Sequence, residues 1–167
     1  KKGQLLILES TSYPGTTREE LCEKLYSKFR LGKELFVSFS SERINPGIND
    51  KKIDEIPKVV SGYSRRCLNL SVKFYSYLFK HIVKAKSLEY AEFSKLLENI
   101  YRSVNIGMIN ELKVLCQKMN INIFDVIKAA KTKPFGFHAF YPGPGYGGHC
   151  IPIDPFLLTW RAKKFNF

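Results

Sequence analysis

The stretch QLLILESTSYPGTTREELCEKLYSKFRLGKELFVSF, from Gln4 to Phe39, decides the architecture. It opens on Gln4 to Leu8, a continuous apolar run short enough for a strand buried on both faces, which ends in the polar cluster Glu9, Ser10, Thr11, Ser12. Pro14 and Gly15 punctuate the loop. Thr16 or Thr17 then offers a cap for a helix whose first turn carries Glu19 and Glu20, favourable at the positive end of the helix dipole. The helix is expected to run to about Arg30 and stop at Gly32, and Leu35 to Phe39 forms a second apolar run. Strand, helix and strand in one βαβ-sized unit predict a right-handed parallel crossover, and hence α/β architecture.

Downstream, Ser41 to Lys52 (SERINPGINDKK) is polar and turn-rich, and Lys58 to Ser61 reads as one more short strand before a helix beginning near Ser64. From Ser87, a plausible N-cap, apolar side chains recur at Phe93, Leu96, Leu97, Ile100, Val104, Met108, Leu112 and Leu115, close to the helical period. One long helix to about Met119 is the simplest reading. A further helix from about Ile123 to Ala130 gives way to Lys133 to Gly148 (KPFGFHAFYPGPGYGG), where prolines and glycines forbid regular structure. That loop delivers His149 and Cys150.

With 167 residues and 44% hydrophobic content, the chain can bury one sizeable core and a second, smaller cluster. No apolar run approaches the roughly 20 uncharged residues of a membrane span, and no secretory leader opens the sequence, so a cytoplasmic location without membrane attachment is expected. The net charge of +12 is compatible with nucleic acid, an acidic membrane surface or a small polyanion such as a diphosphate. The lysines are spread along the whole chain and no nucleic-acid reading motif accompanies them, so nucleic acid is not an expected partner. Cys22, Cys67, Cys116 and Cys150 lack the paired spacing of a zinc site or a disulfide scaffold, and no metal is expected.

Cys150 differs from the other three. Gly147 and Gly148 before it let the backbone pack tightly and leave the thiol approachable, although a glycine turn beside a buried cysteine would read the same way. Asp154 lies four residues on, where one helical turn brings a carboxylate near the sulfur and could set it to act on a water. On the long helix Lys95, Asn99 and Arg102 fall at i, i+4 and i+7 and form one polar ridge, which by spacing alone is also what a solvated face looks like.

Taken together, GYGGHCIPIDPF at Gly145 to Phe156, KLLENIYRSVNIGMINEL at Lys95 to Leu112, SERINPG at Ser41 to Gly47 and ESTSYPGTT at Glu9 to Thr17 resemble the UDP-glucose/GDP-mannose dehydrogenase family. The resemblance covers nearly the whole chain in the right order. Within the family the combination of YPGPGYGGHCIPIDP, KPFGF and NPG is most similar to the UDP-N-acetyl-hexosamine 6-dehydrogenases of surface-polysaccharide synthesis.

The resemblance implies a fold: the C-terminal part of a Rossmann-like parallel sheet over residues 1–62, then a mainly helical central dimerisation domain over residues 63–167 with one long helix. It implies NAD as cofactor, a UDP-sugar as substrate, UDP-N-acetylglucosamine first among the candidates, and a homodimer through the long helix. The C6 hydroxyl would be oxidised to a carboxylate through an aldehyde and a cysteine thioester. Residue by residue, Cys150 matches the nucleophile, and Lys95 and Asn99 match groups that stabilise anions and face substrate. Asp154, Thr11 and Glu42 match positions that hold or deprotonate water, with Ser10, Thr11 and Glu42 toward the cofactor. Arg102, Asn105, Tyr141, Gly145 and Gly147 match the substrate side.

The departures are also informative. No G-x-G-x-x-G fingerprint follows a strand, the terminal UDP-binding domain of the family has no counterpart, and Ser41 stands where the family usually has proline. The chain alone is therefore expected to be incomplete and inactive. UDP-glucose or UDP-N-acetylmannosamine is the alternative substrate, and a non-catalytic dimerisation fragment is the alternative role.

Overall fold

The computed structural model describes residues 1–43 and 52–167. Residues 44–51, on which the NPG part of the SERINPG resemblance falls, lie outside the described residues.

Among the described residues four strands form one sheet in the order β1 (Leu5–Leu8), β2 (Phe36–Phe39), β3 (Lys58–Gly62), β4 (Ile82–Lys84). β1 and β2 are parallel, with Leu5 beside Phe36 and Leu8 beside Phe39, as the βαβ reading requires. β3 runs antiparallel to β2, with Phe39 opposite Ser61, and β4 is parallel to β3. The reversal has a consequence for position. It brings the first residue of β3, Lys58, to the same edge at which β1 and β2 end.

β2 is the strand buried along its whole length, while β1 lies at the end of the sheet with Leu6 40% exposed. The expectation of a β1 buried on both faces is thus corrected: Leu5, Ile7 and Leu8 are half-buried and Leu6 is exposed.

The helix after β1 begins as a π-helical segment, Thr17–Cys22, and continues as α1, Glu23–Tyr26, ending short of the expected Arg30. Neither Thr16 nor Thr17 caps it through its own side chain in the usual way. The orphan donors at its start are taken by Glu92 from a later helix, which accepts from Gly15 N at 2.6 Å, Thr17 N at 2.8 Å and Thr17 Oγ1 at 2.6 Å. Glu92 is fully buried, so a carboxylate does here what a local Ser or Thr usually does.

α2 (Arg65–Tyr75) starts at Ser64, whose hydroxyl accepts from Cys67 N. It packs closely on β3, and a Cβ on Gly62 would lie 2.7 Å from the Leu68 Cα and closer still to its nitrogen. α3 (Leu88–Lys118) is the expected long helix, and α4 (Ile123–Ala130) follows with Asn122 as its N-cap. α5 (Asp154–Ala162), which follows the expected turn between Cys150 and Asp154, was not anticipated; Pro155 at its start suits a first-turn position, where a missing N–H costs nothing.

The fold divides into two compact units, one of residues 1–96 with 157–167 and one of residues 97–156. The core of the first gathers Cys22, Val37, Phe39, Val59, Leu88 and Ala91. That of the second is Ile109, Ile123 and Ile127, with Cys116, Ala139 and Phe140 packed against it. The apolar stripe of α3 is only partly used: Leu96 and Ile109 are buried, whereas Leu97, Val104, Met108, Leu112 and Leu115 are exposed.

Candidate functional site

In the second unit the site is built where α3 faces the segment that carries Cys150. Asn99 and Asp154 are both buried, and the Asn99 Nδ2 donates to Asp154 Oδ2. Asp154 N donates to Cys150 O at 3.0 Å, as does Ile153 N, so the turn expected between the cysteine and the aspartate is formed. Cys150 itself is exposed and unbonded to another cysteine. Gly147 and Gly148 precede it with φ of +68° and +76°, a backbone that side-chain-bearing residues rarely adopt. The arrangement offers an approachable sulfur one turn from a desolvated carboxylate whose partner is fixed.

The loop before Cys150 is held to α3 through Tyr101, Gly107 and Asn110. Tyr101 Oη shares a 2.6 Å hydrogen bond with His138 Nδ1, and its ring meets Phe140 edge-on at 5.8 Å. Asn110 acts as a two-armed clamp: its Oδ1 accepts from Gly143 N and its Nδ2 donates to Gly145 O, each at 3.0 Å. Tyr146 lies across Gly107, where an added Cβ would meet the ring at 3.4 Å. Ile106, Tyr141, Gly143, Gly145, Tyr146 and Gly147 line a shallow cleft of about 250 Å³. Tyr141, Gly145 and Gly147, expected on the substrate side, therefore share one cleft.

The remaining ridge residues are arranged differently. Lys95 is half-buried on α3 one turn before Asn99, and Arg102 is exposed. Asn105 turns its amide back to donate to Tyr101 O at 2.7 Å, a bond within its own helix. Asn110 escaped the sequence reading. The signal was available, since Asn110 lies eleven residues, or three helical turns, after Asn99 and so continues the same face.

In the first unit the expected residues gather at the edge where β1 and β2 end, the ligand side of an α/β sheet. Ser10 is exposed and Thr11 half-buried just beyond β1. The Ser12 Oγ beside them is buried and has no hydrogen-bond partner among the described residues. Glu42, beyond β2, accepts from Arg43 N at 2.7 Å and from Lys58 Nζ at 3.3 Å. Lys58 is buried, pairs also with Glu9 at 3.3 Å, and lies over the rings of Tyr75 at 5.1 Å and Phe79 at 5.3 Å. Tyr75 Oη donates to Glu9 Oε1 at 2.5 Å, and burial, with Glu9 adding to it, pushes the phenol pKa well above its ordinary value. Nothing in the sequence marked Lys58 as more than the start of a strand.

Elsewhere in this unit Arg161 grips Glu19 with both guanidinium nitrogens, which with Arg161's charge holds the carboxyl below its usual range. Burial pushes the Cys22 thiol up to about 11, marking it as a core group.

Residues 89–167 match the central domain of the UDP-glucose/GDP-mannose dehydrogenase family. The chain is similar to the UDP-N-acetyl-D-glucosamine 6-dehydrogenase of Pseudomonas aeruginosa, at 40% identity over all of this chain and 40% of that protein. It is 37% identical to the UDP-N-acetyl-D-mannosamine dehydrogenase of Pyrococcus horikoshii, over 98% of this chain and 39% of the relative. Among solved structures, UDP-D-ManNAc dehydrogenase from Pyrococcus horikoshii superposes with a TM-score of 0.88 at 37% identity, covering 97% of this chain and 39% of its own. The chain thus spans about two fifths of the length of these relatives. With the motifs, the fold and the relatives in agreement, the chain belongs to the UDP-glucose/GDP-mannose dehydrogenase family.

Proposed function

We propose that this chain carries the catalytic thiol of an NAD-dependent nucleotide-sugar 6-dehydrogenase, acting on a UDP-N-acetyl-hexosamine in surface-polysaccharide synthesis, with UDP-N-acetylglucosamine as the first substrate to test. The observation that carries the reading is the exposed Cys150 one helical turn from the buried Asn99–Asp154 pair. The names of relatives at 37–40% identity support the substrate class.

The cofactor, when bound, supplies the hydride acceptor for each of two oxidations. The strand edge at Ser10 and Thr11 fits such a ligand, because the buried Ser12 hydroxyl there has no hydrogen-bond partner among the described residues and Glu42 stands beyond the next strand.

The chain's own groups then have distinct tasks. Cys150, as thiolate, adds to the C6 aldehyde carbon, and the charge that develops on the oxygen is stabilised by Lys95 and the amide of Asn99. Once the sulfur carries an acyl group, water attacks the acyl carbon, the C–S bond breaks, and the electron pair returns to the sulfur. Asp154, Thr11 and Glu42 hold that water or take its proton. Arg102, Asn105 and the Tyr141–Gly147 cleft orient the sugar nucleotide. Lines of exposed apolar side chains on α3, among them Leu97, Val104, Met108 and Leu115, fit pairing with a second copy across a two-fold axis.

The test uses the full-length protein with NAD and UDP-N-acetylglucosamine. Reduced cofactor and uronate should form together, and Cys150→Ser should abolish acid formation, since a serine hydroxyl lacks an activating base there. Unchanged acid formation in that variant would remove Cys150 from the reaction.

A further inference from the structure

Among the described residues Lys58 is the buried lysine, its side chain 2% exposed, and its two carboxylate partners, Glu9 and Glu42, are each about half exposed. The cation therefore sits beneath two anions that face outward at the ligand edge. Burying a lysine is costly, and a buried ion pair often contributes little net stability relative to an apolar replacement. Its placement calls for another role.

The register supplies one. Continuing the β2 and β3 pairing from Phe39 opposite Ser61 sets Lys58 across from Glu42, and the Tyr75 and Phe79 rings wall the ammonium from the inner side. Tyr75 also holds Glu9, so the ammonium is centred between the two carboxylates and its position is fixed from three directions.

We propose that Lys58 is a positioning residue for Glu42: it anchors the carboxylate at the strand edge, in one orientation, for the water step of the reaction. The inference rests on the reading of Glu42 given above. Arg43, whose backbone N–H bonds the other Glu42 oxygen, supports the same orientation but has its guanidinium on Pro57 O. Lys58 does not touch substrate; it acts through Glu42. In the step concerned, water oxygen bonds to the acyl carbon, the C–S bond to Cys150 breaks, and one water proton passes to a carboxylate held in place.

The experiment follows the lifetime of the acyl group on Cys150 by intact mass after rapid quench, in full-length protein given NAD and UDP-N-acetylglucosamine. Glu42→Gln and Lys58→Met should each lengthen that lifetime on the order of 10-fold or more, a fraction of what a well-placed base contributes. Lys58→Arg should recover most of the loss, the double variant should match Glu42→Gln alone, and Glu9→Gln, which removes one of two anions that centre the ammonium, should lengthen the lifetime clearly less than Lys58→Met. If Lys58→Met lowers only the melting temperature while Glu42→Gln still slows hydrolysis, the inference fails and the reading of Glu42 survives. A parent-like lifetime in Glu42→Gln removes that reading and the inference with it. Should Lys58→Met not fold, Lys58→Gln takes its place with the same expected lifetime. Lengthening by Glu9→Gln equal to that of the Lys58 variant would mean a general collapse of the edge, and would also overturn the proposal.

Discussion

Asn99 donates its amide to the carboxylate of Asp154, and both side chains are buried. The bond joins the long helix to the first turn of α5, four residues after Cys150. An amide is suited to this, because it can satisfy a buried carboxylate without adding a second charge. Asn99→Ala should therefore leave Asp154 short of a donor and destabilise the fold by about 1–3 kcal/mol, measured by urea unfolding. The same variant should lower turnover in the full-length protein by more than it raises KM.

The four cysteines should differ widely in reactivity. With a pKa of about 11 and a buried side chain, Cys22 exposes on the order of one thiolate in a thousand at pH 8, and Cys67 is fully buried. Cys150 is exposed. Peptide mapping after brief alkylation at pH 8 should find Cys150 modified first, and Cys22 and Cys67 only once the protein is unfolded. Early labelling of Cys22 would contradict its place in the core.

Gly62→Ala should be among the most damaging small substitutions available. The added Cβ would meet Leu68 backbone on α2, and backbone cannot swing aside as a side-chain tip can. A loss of about 3 kcal/mol or more, at the upper end of overpacking effects, is expected in thermal or urea unfolding.

Glu89 sets an acid limit on the contact between α3 and the π-helical segment. Burial alone would raise its pKa, but hydrogen bonds from Arg18 and Ser87 prevail and hold it at about 2, against an ordinary 4.5. The folded pKa is depressed, so the stabilisation is complete above about 4.5 and is lost as the pH falls towards 2. The melting-temperature gap between the parent and Glu89→Gln should be steady near neutrality and should shrink through that window.

If α3 pairs with a second copy, Met108→Lys should convert a dimer to monomer by light scattering while leaving the helical signal unchanged, because the Met108 side chain is already half exposed in the single chain. A monomeric parent at high concentration would exclude the pairing.

Periodicity and local chemistry carried most of the fold. The β1–helix–β2 unit, the start of α2 at Ser64 and the long helix from Ser87 were legible because each depends on residues a few positions apart. The antiparallel turn into β3 was not, since the polar linker between Phe39 and Lys58 carries no information on strand direction. The Lys58 cluster and the clamp of Asn110 on Gly143 and Gly145 were hidden for a related reason: each pairs groups that meet only after folding. Conversely, Cys150 and Asp154 stood out by local spacing but, like Asn99, were given roles only by motif resemblance, and spacing alone would have left the ridge on α3 indistinguishable from a solvated face.

The cap that Glu92 supplies to Gly15 and Thr17 has a temporal side. A chain leaves the ribosome in order, at roughly 5–20 residues per second, so the helix start near Thr17 emerges several seconds before the carboxylate that completes it. Until residue 92 is available, the donors of Gly15 and Thr17 must be met by water, and the segment they begin cannot be buried at full benefit. The first βαβ unit is thus expected to complete its closure during synthesis only with help from later residues. Its closure waits for the opening turns of α3, and a stalled or truncated translation product ending before Glu92 should be markedly more sensitive to protease than one extending a few turns further.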